Sequence, residues 1–189
     1  MFKHLAVLAL ALCAGASVAP ATAQAAGARR QTEGFYGSIG VGYGSLSVTC
    51  TDCESNNTNS MSFYAGAGGT LSQKWRLGAE YDMWRKSEDG FTLSVGYFLA
   101  NATLYPSANN DLWIKFGAGY TNATGSGGGS SSSSNGGAAG AIGLGYDWHV
   151  TEGGLALIPY LSYDAQLTSS GGEGKANVFQ VGVGIGYRH

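Results

Sequence analysis

Two cysteines with two residues between them are the first candidates for chemistry in this chain of 189 residues. Cys50 and Cys53 are the cysteine pair that remains once Cys13, close to the N-terminus, is set aside. A redox CxxC motif needs a helix N-terminus to activate one thiol, and a zinc site needs two further ligands. We predict a disulfide between Cys50 and Cys53, because an even cysteine count in an oxidising compartment indicates one. We expect neither a metal ion nor any other cofactor.

Hydrolytic chemistry at a histidine is the second candidate. His149 follows Asp147 by two residues, so the two side chains share one face of an extended strand. Acyl transfer also needs a nucleophile, and a serine would have to approach from another strand. We expect His149 to be a structural histidine and the chain not to be an enzyme; an enzyme acting on lipid or peptide is the least favoured alternative.

Composition excludes several other classes of protein. The net charge is −2, with 12% charged residues, whereas a nucleic-acid-binding protein needs a basic patch. Beyond the N-terminus no apolar run approaches the ~20 residues of a membrane helix. The chain has 32 glycines. Its Gly-x-Gly stretches lie inside predicted strands rather than at strand-to-helix turns, which argues against a nucleotide-binding loop.

The N-terminus is typical of an exported protein. Lys3 precedes an apolar run, Leu5–Leu12. Ala21-Thr22-Ala23 has the small residues of a signal-peptidase site, and Ala23-Gln24-Ala25 is the alternative. We predict a cleaved signal peptide over residues 1–23, followed by a short periplasmic tail over residues 24–34.

The rest of the chain, residues 35–189, contains eight segments with a period of two, which predicts eight β-strands. In each segment large apolar residues alternate with small or polar ones; in the fourth, we expect Phe91, Leu93, Val95, Tyr97 and Leu99 to share the outer face. The predicted strands are Phe35–Val48, Met61–Leu71, Trp75–Lys86, Phe91–Leu104, Leu112–Asn122, Ala139–Val150, Leu155–Leu167 and Asn177–His189.

The glycines and serines on the second face decide the architecture. A solvated face would carry many lysines and glutamates, whereas small residues fit a narrow enclosed interior. The apolar face then points into lipid, so we predict an all-β, eight-stranded antiparallel up-and-down transmembrane β-barrel. Longer odd-numbered connections indicate that both termini are periplasmic. We expect the Gly/Ser-rich stretch 123–138 to be a disordered, solvated loop; an adhesive tip is the alternative.

Aromatic residues recur where the predicted strands would cross the two membrane interfaces, as they do in outer-membrane barrels. Apolar-Gly-apolar-Gly-Tyr repeats, such as Ile39–Tyr43 and Val183–Tyr187, contribute several of them. The predicted aromatic girdles contain Tyr43, Trp75, Tyr81, Tyr120, Tyr146, Trp148, Tyr163 and Tyr187.

Seven charged residues fall on the predicted inner face: Arg76, Glu80, Asp82, Lys115, Asp147, Asp164 and Arg188. The lumen of a small barrel is just wide enough for side chains, and buried charges must pair or be hydrated. Salt bridges that plug and rigidify the barrel are the favoured interpretation. A polar lining for a narrow channel is the alternative.

These features together resemble the eight-stranded outer-membrane β-barrel superfamily of OmpA-like and opacity-protein-like barrels. Leu77-Gly78-Ala79-Glu80-Tyr81 is similar to a third-strand motif of that group, and the resemblance covers residues 35–189. Such barrels usually end in an aromatic residue, whereas here Tyr187 lies two residues earlier.

The resemblance implies a monomeric barrel in a bacterial outer membrane, with membrane lipid and the barrel-assembly machinery as its partners. It implies a porin-like membrane protein with a structural role in envelope integrity or surface contact. A narrow pore or conduit for small solutes is the alternative function.

Overall fold

The computed structural model describes residues 34–49, 57–107, 109–127, 130–151, 154–169 and 174–189. The predicted signal peptide, nearly all of the predicted tail, and Cys50 and Cys53 lie outside these residues. The described strands are β1 (Gly34–Thr49), β2 (Asn57–Thr70), β3 (Trp75–Glu88), β4 (Phe91–Leu104), β5 (Leu112–Gly127), β6 (Ser130–Tyr146), β7 (Trp148–His149), β8 (Leu155–Gln166) and β9 (Lys175–Arg188). No helix long and apolar enough to cross a membrane occurs among these residues.

Antiparallel pairing closes the sheet on itself. Successive strands pair from β1 to β6, β1 also pairs with β9, and β8 pairs with β9, β6 and β7. The two-residue strand β7 continues the line of β6 beyond Asp147, so β6 and β7 act as one interrupted strand of the barrel. The predicted eight-stranded antiparallel barrel is therefore confirmed.

The two ends of the barrel differ in their connections. At the end where β1 begins and β9 ends, here called the terminal end, β3, β5 and β8 also begin. At the opposite end, the hairpin end, β3 and β4 are joined by Asp89 and Gly90, whose φ angles are 51° and 79°. Two consecutive positive φ angles are typical of a tight hairpin turn, and glycine and aspartate tolerate them.

The prediction for the Gly/Ser-rich stretch is wrong within the described residues. β5 continues to Gly127 and β6 starts at Ser130, with a β-bulge after Ala123. Gly127 pairs with Phe91 of β4 as well as with Ser130 of β6. The backbone of this segment thus forms hydrogen bonds with the neighbouring strands, and such bonds require no large side chains. The sheet therefore extends through a segment of low intrinsic β-propensity.

The fourth strand shows the second wrong prediction. Val95, Tyr97 and Leu99 point into the barrel and are at most 1% exposed, whereas Phe98 points outward and is 62% exposed. Both faces of β4 carry large apolar residues, so alternation alone does not distinguish them. The polar residues Asn101 and Thr103 lie on the same face as Tyr97 and are also buried, which is the signal that sequence inspection missed.

The outer surface changes character along the barrel. From the terminal end to about the level of Tyr43 and Tyr120, large apolar residues face outward; Ile39 is 65% exposed and Phe116 46%. Such a surface is stable against lipid. Beyond that level β1, β3 and β5 continue to Thr49, Glu88 and Gly127, and outward positions become polar, as at Arg85. We call this part of the barrel, above the level of Tyr43 and Tyr120, the rim.

Facing glycines bring neighbouring strands close together inside the barrel. Gly42 of β1 pairs with Gly182 of β9. A Cβ atom on Gly182 would overlap the carbonyl oxygen of Val41 and would lie 2.7 Å from the Cα atom of Gly42. Both contacts are with backbone atoms, so the strand itself would have to move.

We expect Gly182→Ala to lower the free energy of unfolding by ~1–3 kcal/mol, because overpacking displaces backbone. Urea unfolding of the refolded barrel in lipid vesicles measures the change. Gly37→Ala is the matched control, because a Cβ atom there would meet its nearest neighbour at 3.9 Å. Equal stability of the two variants would contradict the prediction.

Candidate functional site

The middle of the lumen contains a buried ion pair. Glu80 of β3 and Lys115 of β5 point inward, and Lys115 Nζ donates a hydrogen bond to Glu80 Oε1. The side chains are 7% and 8% exposed. A charge in such an environment is stable when it is paired, so the ion pair links two strands that are not neighbours in the sheet.

A second polar cluster lies beside this pair. Gln180 Nε2 lies 3.2 Å from Asp82 Oδ1, 2.9 Å from Asp164 Oδ2 and 2.9 Å from Ser162 Oγ. All four side chains are buried. The amide of Gln180 therefore connects β9 with β3 and β8 through hydrogen bonds to two carboxylates.

Asp147 organises the lumen at the terminal end. Its Oδ2 accepts hydrogen bonds from Tyr105 at 2.7 Å, Arg76 at 3.1 Å and Arg188 at 3.4 Å, and its Oδ1 accepts one from Trp113 Nε1 at 2.9 Å. Asp147 lies in the interruption between β6 and β7, where its backbone N–H donates to the carbonyl of Asp111. One carboxylate thus joins side chains from three strands and from the turn after β4.

Aromatic rings hold the guanidinium of Arg76 in place. Its Cζ atom lies 4.4 Å from the ring centroid of Tyr105 and 5.4 Å from that of Tyr36. Contacts of this kind are attractive because the negative ring face meets a cation. They fix the orientation of Arg76 relative to Asp147.

An apolar layer fills the lumen towards the hairpin end. Leu46, Trp84, Val95, Tyr97 and Val178 are each 1–2% exposed and pack together. Their polar atoms are paired: Trp84 Nε1 donates to the carbonyl of Gly44 at 3.0 Å, and the Tyr97 hydroxyl donates to that of Ala176 at 2.9 Å. The interior therefore carries its charged residues in the middle and at the terminal end and is apolar at the level of the rim.

The seven predicted inward charges all lie inside the barrel, but not in one cluster. Glu80, Asp82, Lys115 and Asp164 lie in the middle, and Arg76, Asp147 and Arg188 lie at the terminal end. The eight predicted girdle residues all face outward and are between 41% and 63% exposed: Tyr43, Trp75, Tyr81, Tyr120, Tyr146, Trp148, Tyr163 and Tyr187. Their contact with the membrane interfaces remains a prediction, as does the disulfide.

Several side chains that organise the lumen were missed by sequence reasoning. Trp84 has the same parity as Asp82, and Trp113 the same parity as Lys115, so extending the parity of the charged residues along each strand identifies both. Gln180 lies on the face of β9 opposite Phe179 and Val181, so parity identifies its position but not its partners. Tyr105 follows the end of β4, where alternation no longer applies.

Among the described residues, no hydrogen bond or ion pair joins His149 to Asp147, the acid two residues before it. Its Nε2 lies 4.0 Å from Asp111 Oδ1 and 3.5 Å from Arg188 Nη2, while Asp147 accepts from the four donors described above. Among the described residues no group of three or more His, Cys, Asp or Glu side chains is arranged to hold a metal ion.

Comparisons with known proteins agree with this architecture. The sequence matches the family described as "Outer membrane protein beta-barrel domain" over residues 8–187, whereas a comparison with curated protein sequences finds no significant match. Neisserial surface protein A (NspA) is a similar solved structure, with a TM-score of 0.63, 15% identity, and coverage of 82% of this chain and 97% of its own.

Ail, the attachment invasion locus protein of Yersinia pestis, is also similar. Its TM-score is 0.56 at 17% identity, covering 80% of this chain and 98% of its own. At these identities the likeness shows the fold alone.

Proposed function

Because the chain belongs to the outer membrane protein β-barrel domain family, we propose that it is a structural protein of a bacterial outer membrane whose lumen is closed by its own side chains. It contributes to envelope integrity or surface contact and has no catalytic role. Its partners are outer-membrane lipid, around a monomeric barrel, and the assembly machinery during insertion. The attachment protein Ail, which shares the fold, supports the surface-contact part of the proposal.

The apolar layer inside the barrel at the level of the rim carries this proposal. Ions cross a membrane along a hydrated path, and hydrophobic constrictions act as barriers to that path. Trp84 and Tyr97 are the largest side chains of the layer, and each is 1% exposed. A tightly packed apolar layer that spans the lumen supports a closed barrel.

Planar-bilayer recording of the refolded protein tests the proposal. A heat-dependent shift in gel mobility first establishes that the barrel has folded. We expect no discrete conductance steps from the folded wild-type protein. Reproducible steps would contradict the proposal and favour the alternative function, a narrow pore for small solutes.

Shortening two side chains of the apolar layer tests the same proposal with a variant that should conduct. We expect Trp84→Ala combined with Tyr97→Ala to produce conductance steps, because the double variant removes the two largest side chains of that layer. Phe98→Ala is the matched control, since Phe98 neighbours Tyr97 but points outward, and it should remain silent. Silence from a folded double variant would show that another part of the lumen closes the barrel.

The cavity between the Glu80–Lys115 ion pair and the side chains around Asp147 is the observation that favours the narrow pore. It has a volume of about 60 Å³, and Glu80, Lys115, Arg76 and Asp147 are among the residues that line it. If the wild-type barrel conducts, this polar path predicts that Glu80→Ala changes the size of the steps. If the barrel is closed, the same substitution changes the free energy of unfolding and produces no conductance steps.

A further inference from the structure

The middle of the lumen contains three acidic side chains beside one lysine. Glu80, Asp82 and Asp164 are all buried there, and Lys115 is the cation that faces them. The ammonium group of Lys115 donates its hydrogen bond to Glu80. If all three acids were ionised, two buried negative charges would have no bonded cation, which is strongly unfavourable.

Two of these acids approach each other on the inner face of β3. Glu80 and Asp82 are two residues apart, so both side chains project into the lumen, and they lie within reach of a side-chain hydrogen bond. An ionised carboxylate only accepts hydrogen bonds, so two ionised acids cannot form one with each other. A hydrogen bond between Glu80 and Asp82 therefore requires a proton on one of them.

The hydrogen-bond partners of the two acids indicate which of them carries that proton. Glu80 Oε1 accepts from Lys115, so Glu80 is the acid that is paired with the cation. Asp82 Oδ1 accepts from the amide of Gln180 at 3.2 Å, whereas Asp82 Oδ2 is shielded from solvent and has no donor in the described part of the chain. Because Oδ2 has no surface that a water molecule or an ion could touch, a hydrogen atom is the partner that fits there.

The other groups around Asp82 add acids rather than cations. The titratable side chains that face it are Glu80 on its own strand, Tyr64 of β2, Tyr97 of β4, Lys115 of β5, and Tyr160 and Asp164 of β8. Among the described residues, β1, β6 and β9 place no titratable side chain beside it. A negative charge on Asp82 would thus be repelled by two acids and attracted by one lysine that already pairs with Glu80.

We propose that Asp82 is a neutral carboxylic acid in the folded barrel at neutral pH, and that its Oδ2–H donates a hydrogen bond to Glu80. Glu80 then accepts from Asp82 and from Lys115, so one anion and one cation form the pair. The unfolded chain exposes Asp82 to water and releases this proton at neutral pH. The lumen is therefore a proton-binding site that makes the stability of the barrel depend on pH, whether or not the barrel conducts.

Infrared spectroscopy of the refolded barrel at pH 7 detects this proton directly. The barrel is kept in alkyl maltoside micelles, because that detergent has no carbonyl group of its own. A protonated carboxyl group has a C=O stretching band that is separate from the bands of ionised carboxylates and amides and that shifts in D₂O. We expect this band in the wild-type protein and its loss in Asp82→Asn.

Asp89→Asn is the matched control for the infrared experiment. Asp89 lies in the exposed turn after β3, so this variant should keep the band. The absence of the band from the folded wild-type protein would overturn the proposal, and so would a band that persists in Asp82→Asn. The heat-dependent gel shift verifies that each protein is folded.

The pH dependence of unfolding is a second readout, which a merely structural role of Asp82 would not change. Stability falls as pH rises wherever the native state binds more protons than the unfolded state, and one extra proton changes the unfolding equilibrium constant about tenfold per pH unit. Urea titrations between pH 6 and 8 should therefore show this additional rise in the wild-type protein and not in Asp82→Asn, whose amide keeps a donor for Glu80. His149 and His189 are present in both proteins, so their contribution cancels in the comparison. Equal pH dependence of the two proteins would overturn the proposal.

Discussion

Replacing Glu80 with glutamine is expected to lower the free energy of unfolding of the barrel by about 3–5 kcal/mol, the usual cost of breaking a buried ion pair. Glutamine keeps the shape of the side chain but leaves the ammonium group of Lys115 without its counter-charge. Lys115 is 8% exposed, so the charge that remains has little contact with bulk solvent. Urea titration of the barrel in lipid vesicles measures the effect.

An exposed ion pair on the same strand is the matched control for that experiment. Lys86 Nζ and Glu88 Oε2 lie 2.7 Å apart, but the side chains are 35% and 66% exposed. Pairs of this kind contribute about 0–1 kcal/mol, so Glu88→Gln should have little effect on stability. Similar losses in Glu80→Gln and Glu88→Gln would contradict burial as the cause.

Replacing both Glu80 and Lys115 separates two causes of the lost stability. One is the missing attraction between the two ions, and the other is the unpaired charge that Glu80→Gln leaves on Lys115. We expect Glu80→Met combined with Lys115→Met to be more stable than Glu80→Gln alone, because no buried charge remains unpaired. A double variant as unstable as the single one would show that the cavity left by the changes, rather than charge, dominates the loss.

Asp147→Asn is expected to destabilise the terminal end of the barrel by a similar amount, about 3–5 kcal/mol. Asparagine has nearly the same shape, but its amide nitrogen donates instead of accepting. At least one of the four donors around Asp147 therefore loses its acceptor, and Arg76 and Arg188 lose the negative charge between them. The same urea titration measures this change.

The turn at Asp89 provides a control with the same chemical change. Asparagine tolerates a positive φ angle as well as aspartate does, so Asp89→Asn should leave stability nearly unchanged. Adding Arg188→Met to Asp147→Asn should recover part of the loss, because it removes one of the stranded cations. No recovery would indicate that Arg76, Tyr105 and Trp113 account for the whole effect.

The sequence predicted the strands best where only one face carries large apolar residues. In β9, Phe179, Val181 and Val183 alternate with glutamine and glycine, and the structure places them outside. β4 has large apolar residues on both faces, because its inner face contributes Val95, Tyr97 and Leu99 to the apolar layer. In such a strand alternation carries no information about which face is inside.

The sequence could not predict which inward side chains pair across the lumen, for a different reason. Alternation tells which face a residue occupies, but pairing also depends on strand register and on the tilt around a closed barrel. Arg76 and Glu80 share a strand and a face, yet they lie four residues apart and join different clusters. Asp147 acquires its four donors from elements that are far apart in sequence, so no local pattern identifies it as an organising residue.

The rim has a consequence for whatever meets this protein from outside the cell, if the hairpin end faces outward as the connection lengths predict. Below the rim the barrel is apolar outside and polar inside, whereas at the rim the order is reversed, as in a water-soluble barrel. The segment from Tyr43 to Thr49, at ~3.3 Å per residue and a tilt of ~40°, rises about 15 Å. This rise exceeds the headgroup layer of one leaflet, which is about 5–8 Å thick, so this end of β1 lies clear of the lipid surface and within reach of large molecules.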